Sequence, residues 1–242
     1  LRQAVDDMLA MNTGILSEAG NAKLKELVYK HRDIWALKMG RSARHIGLTG
    51  GIGSGKTTFG LLLQIRGAAI IDSDQIAKQV TGPRGDAMDA IAQTFGREYL
   101  DDTGALDRAR MRQLAYSTPQ AKSALEAIVH PLVSLHSSQQ AQAAEASGAR
   151  IIVFDVPLLV ESGRWAQRLD SIVVVDCPEH LQIQRVMARN GLERATVESI
   201  LAAQAPRRIR RASADIVIDN GDNCSLADLQ QLATETAALF GL

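Results

Sequence analysis

Residues 46–58 read Ile-Gly-Leu-Thr-Gly-Gly-Ile-Gly-Ser-Gly-Lys-Thr-Thr: a short apolar run, a glycine-rich turn and the start of a helix. From Gly50 to Thr57 the spacing is Gly-x-x-x-x-Gly-Lys-Thr. Glycines allow positive φ and let backbone N–H groups approach phosphate oxygens, and the following helix points its positive end at the same anion. In such a loop Lys56 reaches the β- and γ-phosphates and the Thr57 hydroxyl binds Mg²⁺. The stretch therefore predicts a nucleoside triphosphate site.

The residues that this motif predicts to contact the nucleotide are Gly51, Ile52, Gly53, Ser54, Gly55, Lys56, Thr57 and Thr58. The alternative is a glycine-rich turn that matches by chance. At an average glycine content of ~7%, the four fixed positions coincide in roughly one sequence in a hundred of this length. The strand pattern before the glycines and the helical pattern after them make a chance match rarer still.

The chain is electrically balanced, with 27 Lys and Arg against 27 Asp and Glu in 242 residues. Such a chain lacks the net field that favours nucleic acids or anionic membranes. Its longest apolar run, residues 151–160, is interrupted by Asp155 and Pro157 and is too short to cross a bilayer. Cys177 and Cys224 have no partners at disulfide or zinc-site spacing. We expect a cytoplasmic protein without nucleic-acid or membrane partners, and its oligomeric state stays open.

Strand patterns alternate with helical patterns from residue 45 onward, which is typical of an α/β fold with a parallel sheet covered by helices on both faces. Five strands are predicted, at 45–48, 69–72, 151–155, 171–176 and 216–218. Helices are predicted at 56–66, 73–80, 86–95, 107–116, 119–147, 180–190, 196–204 and 225–240. The core then comprises 41–81, 149–177 and 212–242, interrupted by a helical insertion at 82–148 and an arginine-rich stretch at 178–211.

Residues 1–40 do not follow this alternation. Leu24, Leu27 and Val28 partly keep helical spacing, but the segment holds no chemical motif. We predict an N-terminal extension, for which two interpretations remain open. It is either a non-native or upstream stretch, with a functional start at Met39, or a regulatory or oligomerising helix.

Carboxylates follow two of the predicted strands. Asp72 and Asp74 come at the end of the second strand, and Asp155 ends the third. Ligands of open α/β sheets bind at the carboxyl ends of the strands, so these side chains should lie beside the glycine-rich loop. Either member of the first pair can accept a proton from an attacking hydroxyl or help hold a metal, the alternative being a helix cap. Asp155 suits either Mg²⁺ binding through water or a structural or substrate-side role.

Arginines cluster between residues 185 and 211. Four of them lie at 207, 208, 210 and 211, downstream of Arg185 and Arg189. In a protein that handles phosphates this cluster indicates a triphosphate clamp rather than a DNA-binding patch. Arg185 and Arg189 are four residues apart, so they share one face of a helix.

Further blocks make the pattern specific. Residues 71–77 read Ile-Asp-Ser-Asp-Gln-Ile-Ala, 106–108 Leu-Asp-Arg, 128–133 Ile-Val-His-Pro-Leu-Val and 155–163 Asp-Val-Pro-Leu-Leu-Val-Glu-Ser-Gly. They are followed by Val-Val-Asp-Cys-Pro at 174–178, Gln-Arg-Val-Met-Ala-Arg-Asn at 184–190, Ala-Gln-Ala at 203–205 and Ala-Asp-Ile-Val-Ile-Asp-Asn-Gly at 214–221. Together with the glycine-rich loop, these blocks resemble the dephospho-coenzyme A kinase family, in order and from about residue 46 to the C-terminus.

The resemblance implies a P-loop kinase similar to the nucleoside monophosphate kinases, with a core, an acceptor-binding helical domain at 82–148 and a mobile lid at 178–211. It implies transfer of the γ-phosphate of ATP, with Mg²⁺, to the 3′-hydroxyl of dephospho-coenzyme A. Asp74 would be the base or would orient the hydroxyl, acting with Lys56 and the lid residue Arg189. Arg185 would lie near the ATP phosphates and Asn220 near the adenine.

The resemblance also implies contacts to the acceptor from Asp72, Asp74, Asp107, Arg108, His130, Pro157 and Leu158. His130 precedes Pro131, which predicts a break in the helix, and packing or capping is its alternative role. Two other functions remain open: a kinase of another small acceptor and a nucleotide-binding regulatory ATPase. A GTPase is disfavoured because no Asn-Lys-x-Asp element follows a predicted strand.

Overall fold

The computed structural model describes residues 42–162, 165 and 168–242. The predicted N-terminal extension, residues 1–40, lies outside the described residues. Among those that are described, no helix is long and apolar enough to cross a membrane.

Five parallel strands form one sheet in the order β2-β3-β1-β4-β5. The strands are β1 (Arg44–Gly50), β2 (Ala69–Asp72), β3 (Ile151–Asp155), β4 (Ser171–Asp176) and β5 (Ile216–Asp219). This confirms the predicted α/β class and number of strands. Strand β1 is longer than predicted because Thr49 and Gly50 continue the ladder opposite Val174 and Val175, and pairing of this kind leaves no periodic trace in a glycine-containing stretch.

Ten helices surround the sheet in the part of the chain that the structure describes. They are α1 (Lys56–Ile65), α2 (Ser73–Val80), α3 (Met88–Phe95), α4 (Arg108–Ser117), α5 (Pro119–Ala146), α6 (Leu159–Ser162), α7 (Glu179–Asn190), α8 (Arg194–Ala202), α9 (Arg207–Ala212) and α10 (Leu226–Phe240). A 3₁₀ turn, Arg97–Tyr99, lies between α3 and α4. Two short helices, α6 and α9, are absent from the prediction, since they are too short to show a periodic pattern.

Alternate residues of the central strands face two separate hydrophobic clusters, as the period of a β-strand requires. Ile152 and Phe154 of β3 belong to a cluster formed with the helices between β2 and β3, which we call the insertion-side cluster. Ile151 and Val153 belong to a second cluster that includes residues of α1 and α10. A third and much smaller one has three buried members: Ile183, Val186 and Val197. We call it the lid cluster because these residues lie in the segment 178–211 that is predicted to be a lid.

The predicted helix break at His130–Pro131 is wrong. Helix α5 runs without interruption through Pro131. A proline inside a helix removes one backbone hydrogen bond and costs about 3 kcal/mol. The neighbours on both sides of it pack against the insertion-side cluster, namely Ile128, Val129, Leu132 and Val133, and this burial offsets the local cost.

Candidate active site

The glycine-rich stretch forms a loop between the end of β1 and the start of α1, in the position predicted from the sequence. Gly53 and Gly55 have φ angles of +73° and +95°, which other residues rarely adopt. The Ser54 N–H donates to the Gly51 carbonyl at 3.0 Å and closes a turn. We call residues 50–58 the phosphate loop, because its backbone lies at the N-terminus of α1, where the helix favours anions.

A cavity of about 630 Å³ opens over this loop. Its lining includes many of the predicted site residues: Gly51, Ile52, Gly53, Ser54, Gly55, Lys56, Thr57, Thr58, Asp74, Pro157, Arg185, Arg189 and Asn220. The predicted nucleotide contacts, the predicted base and Pro157 are therefore gathered around one space, although they come from five different parts of the chain.

Lys56, which lines the cavity, forms an ion pair with Asp155. Burial raises the pKa of the Asp155 carboxyl, and the nearby carboxylates Asp72 and Asp74 add to this, while Lys56 opposes it. The three carboxylates therefore lie close enough to influence one another, as their strand order predicts. Asp72 is directly opposite Asp155 in the β2–β3 ladder.

Asp72 and Asp74 have different environments in the structure. The Asp72 carboxylate caps α2, accepting a hydrogen bond from the Gln75 N–H at 2.9 Å. Asp74 lies in the first turn of the same helix, is exposed and lines the cavity. The capping alternative thus applies to Asp72, whereas Asp74 faces the space above the phosphate loop.

The Asn220 side chain contacts the phosphate loop directly. Its Nδ2 donates to the Ser54 carbonyl at 2.8 Å, and a Cβ on Gly55 would lie only 2.3 Å from that nitrogen. Arg185 is held in turn, because its Nη1 donates to the Asn220 carbonyl at 3.1 Å. The more exposed Arg189 lies one helical turn further along α7, where its Nε donates to Asn190 Oδ1.

Three arginines of the four-arginine cluster bind groups of the protein itself. Arg207 and Arg211 both bind the Asp176 carboxylate at the end of β4, Arg207 through Nε and Nη2. Burial acts to raise the pKa of Asp176, but the hydrogen bonds from these two arginines outweigh it and hold the pKa below its usual value. Arg210 is buried and donates to the Ala205 carbonyl. These three residues therefore have protein partners and lie outside the lining of the cavity, and the clamp stays a prediction.

The remaining predicted acceptor contacts lie away from this cavity. Asp107 caps α4 by accepting from two backbone N–H groups, and Arg108 donates to Thr81 Oγ1 at 3.0 Å. His130 lies within α5, and Leu158 is 49% exposed just before α6. All four lie outside the lining of the cavity, and their roles stay predictions.

Several lining residues were missed by the sequence analysis: Ile200, Gln204, Cys224, Ser225, Leu226 and Leu229. Most belong to α8, the loop after it and the start of α10. Gln204 stands in the Ala-Gln-Ala block noted above, which was the one available signal. The apolar members keep ordinary helical spacing, so nothing in their pattern distinguishes a cavity wall from a core.

A phosphate loop at the central strand of a 2-3-1-4-5 parallel sheet, with a carboxylate facing it across a cavity, defines a P-loop kinase fold. Comparisons with known proteins identify the family within this class of kinases. A family profile described as dephospho-CoA kinase matches residues 44–225. The chain belongs to the dephospho-CoA kinase family.

Similar proteins support that assignment. The chain is 51% identical over 202 residues to a dephospho-CoA kinase of Albidiferax ferrireducens, covering 84% of this chain and 95% of that protein. It is 52% identical to a dephospho-CoA kinase of Burkholderia pseudomallei, covering 80% and 92%. The crystal structure of TT1252 from Thermus thermophilus superposes with a TM-score of 0.72 at 34% identity, covering 82% of this chain and 98% of that one.

Proposed function

We propose that this chain transfers the γ-phosphate of ATP to the 3′-hydroxyl of dephospho-coenzyme A, giving coenzyme A and ADP in the last step of coenzyme A synthesis. The observation that carries the proposal is the lining of one cavity by both the phosphate loop and the Asp74 carboxylate, in a chain of the dephospho-CoA kinase family. A nucleotide site alone would be enough for an ATPase. A carboxylate in the same cavity can also accept the proton of an attacking hydroxyl, as a kinase requires.

ATP binding would replace contacts that already exist in the site. Lys56 now pairs with Asp155, and on binding its ammonium would turn to the β- and γ-phosphates. Backbone N–H groups of the phosphate loop would surround the same oxygens, and Arg185 and Arg189 would approach from α7. Phosphoryl transfer is catalysed mainly by such positioning and by neutralising charge that develops in the transition state.

Asp74 is the group best placed to act on the acceptor. Its exposed carboxylate belongs to α2, which follows β2, whereas Arg185 and Arg189 belong to α7, which follows β4 on the other side of β1 in the sheet. Asp74 would accept the proton of the 3′-hydroxyl, or hold that hydroxyl in line with the γ-phosphate. Pro157 lines the same cavity, and its carbonyl accepts a hydrogen bond from buried Thr49 at 3.2 Å, which keeps this wall in place.

The residues present fit Mg²⁺. Thr57 offers an exposed hydroxyl at the cavity, and Asp155 lies near two further carboxylates. Hard oxygen ligands of this kind suit Mg²⁺, which is usually held by one or two protein groups together with substrate phosphates. When bound, the metal supplies positive charge to the β- and γ-phosphate oxygens. The predicted cytoplasmic location and the absence of nucleic-acid partners stay predictions.

An acceptor screen tests the proposal. The protein is incubated with ATP and Mg²⁺, with and without dephospho-coenzyme A, a nucleoside monophosphate or shikimate, and ADP release is followed. We expect ADP release to require dephospho-coenzyme A, and mass spectrometry with fragmentation to place the new phosphate on the ribose 3′-oxygen. Equal ADP release without any acceptor would indicate a regulatory ATPase instead. Faster ADP release with another of these alcohols would identify that alcohol as the substrate.

A further inference from the structure

Three consecutive residues of the phosphate loop, Gly51, Ile52 and Gly53, are in contact with the lid segment 178–211. The Ile52 N–H donates to Gln204 Oε1 at 3.0 Å. The Ile52 side chain completes the lid cluster, packing against Ile183, Val186 and Val197. The loop that should bind phosphate is thus joined to the lid by both a backbone hydrogen bond and an apolar contact.

Gly51 and Gly53 meet the lid more closely than any side chain would allow. A Cβ on Gly51 would lie 2.3 Å from Gln182 Nε2 and 2.8 Å from Arg210 Nη2. A Cβ on Gly53 would lie 2.8 Å from the Gln182 carbonyl oxygen. Gln182 therefore forms the wall behind both glycines, and Arg210 extends that wall at Gly51.

The two side chains of this wall are buried although both are polar. Gln182 is 0% exposed and Arg210 is 4% exposed. Neither amide atom of Gln182 has a hydrogen-bond partner in the described part of the chain, residues 42–162, 165 and 168–242. Burying a polar group without a partner is unfavourable, so stability of the fold does not explain why Gln182 lies there. A buried polar group of this kind calls for another role.

Residues Gln204 and Ala205 connect this wall to a third part of the molecule, helix α6. The Ala205 carbonyl accepts from Arg210 Nη1, and the Ala205 N–H donates to Glu161 Oε1 at 2.6 Å. Glu161 lies in α6, just after the Pro157 wall of the cavity. The residues that contact the loop are therefore themselves fixed, which is the condition for holding it in one conformation.

We propose that Gln182, Gln204 and Arg210 are positioning residues for the phosphate loop. They hold residues 51–53 in the phosphate-binding shape before ATP arrives, so that binding carries less of the cost of ordering a glycine-rich segment. Gln182 and Arg210 lie outside the cavity lining and act through the loop. The proposal rests on nucleotide binding at this site but not on the identity of the acceptor.

The first test replaces one hydrogen-bond acceptor. Gln204→Met keeps the length of the side chain and removes the oxygen that binds the Ile52 N–H. Gln184→Met, an identical change at an exposed position of α7, is the control. We expect the dissociation constant of a non-hydrolysable ATP analogue, measured by calorimetry, to rise about threefold to tenfold for Gln204→Met, as loss of one hydrogen bond implies. The control should match wild type.

Steady-state kinetics with ATP and the acceptor distinguish loss of positioning of the phosphate loop from a general loss of structure. In Gln204→Met the KM for ATP should rise while the acceptor KM stays unchanged, and the melting temperature should fall by only a few degrees, as loss of one hydrogen bond implies. A folded Gln204→Met protein that binds the analogue as tightly as wild type would overturn the proposal. Because the calorimetry needs no acceptor, failure of the proposed transfer to dephospho-coenzyme A would be seen separately, in the wild-type assay.

The second test uses a reciprocal change in size. Gly51→Ala should weaken analogue binding about tenfold or more, because its methyl group displaces the loop from Gln182. Adding Gln182→Ala should restore much of that loss by making room. If the two changes are simply additive, the contact does not position the loop. Should the chain with Gln182→Ala fail to fold, the result for Gln204→Met decides the matter.

Discussion

The two helical regions beside the site are held to the sheet in different ways. The helices between β2 and β3 contribute to the insertion-side cluster through many apolar side chains, and α5 alone contributes Leu125, Ile128, Val129, Leu132 and Val133. The lid segment 178–211 has three buried members in its own cluster and depends on polar contacts: Arg207 and Arg211 with Asp176, and Gln204 with Ile52.

This difference has a functional consequence. Apolar burial is non-directional and is not replaced by a charged ligand, so the insertion should keep its place when ATP binds. Ion pairs and hydrogen bonds to the phosphate loop can be strengthened or exchanged when phosphates arrive. We therefore expect the lid to respond to the nucleotide and the insertion to remain a fixed wall, and the predictions below test this contrast.

The largest effect should come from a substitution in the phosphate loop, which belongs to neither helical region. We expect Lys56→Ala to reduce turnover about 10²- to 10³-fold, since it removes a charge that stabilises the transition state. Circular dichroism should show an intact fold. Turnover above about a tenth of wild type would be incompatible with losses typical of such groups.

On the insertion side, Asp74→Asn should reduce kcat about 10²-fold while ATP binding is nearly unchanged, because the change removes the proton acceptor and keeps the shape. Asp72→Asn is the matched control, two residues away. It should cost about 1 kcal/mol of stability or less through a weaker cap of α2 and leave kcat close to wild type. If Asp72→Asn is the crippling change, the two roles are reversed.

On the lid side, Arg189→Ala should lower kcat and raise the KM for ATP, with a smaller change in the acceptor KM. The physical reason is loss of a cation that the predicted lid would bring to the phosphates on closing. Limited proteolysis gives an independent measure: segment 178–211 should be protected by a bisubstrate analogue, while segment 82–148 is cut equally with and without it. Equal cleavage of the lid in both states would contradict the contrast between the regions.

The ion pairs between Asp176 and the predicted lid should weaken at acid pH. The pKa of Asp176 is lowered in the folded protein, whereas that of an unfolded Asp is about 3.9. The carboxylate therefore stabilises the fold above about pH 4, and this contribution is lost as the pH falls through the lower, folded-state value. Urea unfolding of wild type and Asp176→Asn from pH 7 to pH 3 should give a stability difference that shrinks below about pH 4. A constant difference would indicate that the charge of Asp176 does not anchor the lid.

The smallest effect should come from residues outside both regions. Removal of residues 1–38 should leave kcat and both Michaelis constants nearly unchanged, because every motif of the site follows residue 46. Steady-state kinetics on the truncated protein check this. A several-fold loss of activity in a folded truncation would show that the extension contributes to catalysis.

Local patterns were enough for the phosphate loop, the five strands and the position of Asp74. Glycine spacing, strand period and the strand-end rule each act over a few residues, so they can be seen in a single sequence. The helix break at Pro131 shows the limit of such local rules, because packing of four neighbouring apolar residues on the insertion-side cluster outweighed the missing hydrogen bond.

By itself the sequence determined that this protein has a parallel sheet with a phosphate loop and carboxylates at the strand ends. Only the tertiary structure decided which partner each charged or polar group takes: Lys56 with Asp155, Arg207 with Asp176, and Ile52 with Gln204. These partners are 99, 31 and 152 residues apart along the chain. Contacts over such separations follow from how the elements pack, and no spacing rule encodes them.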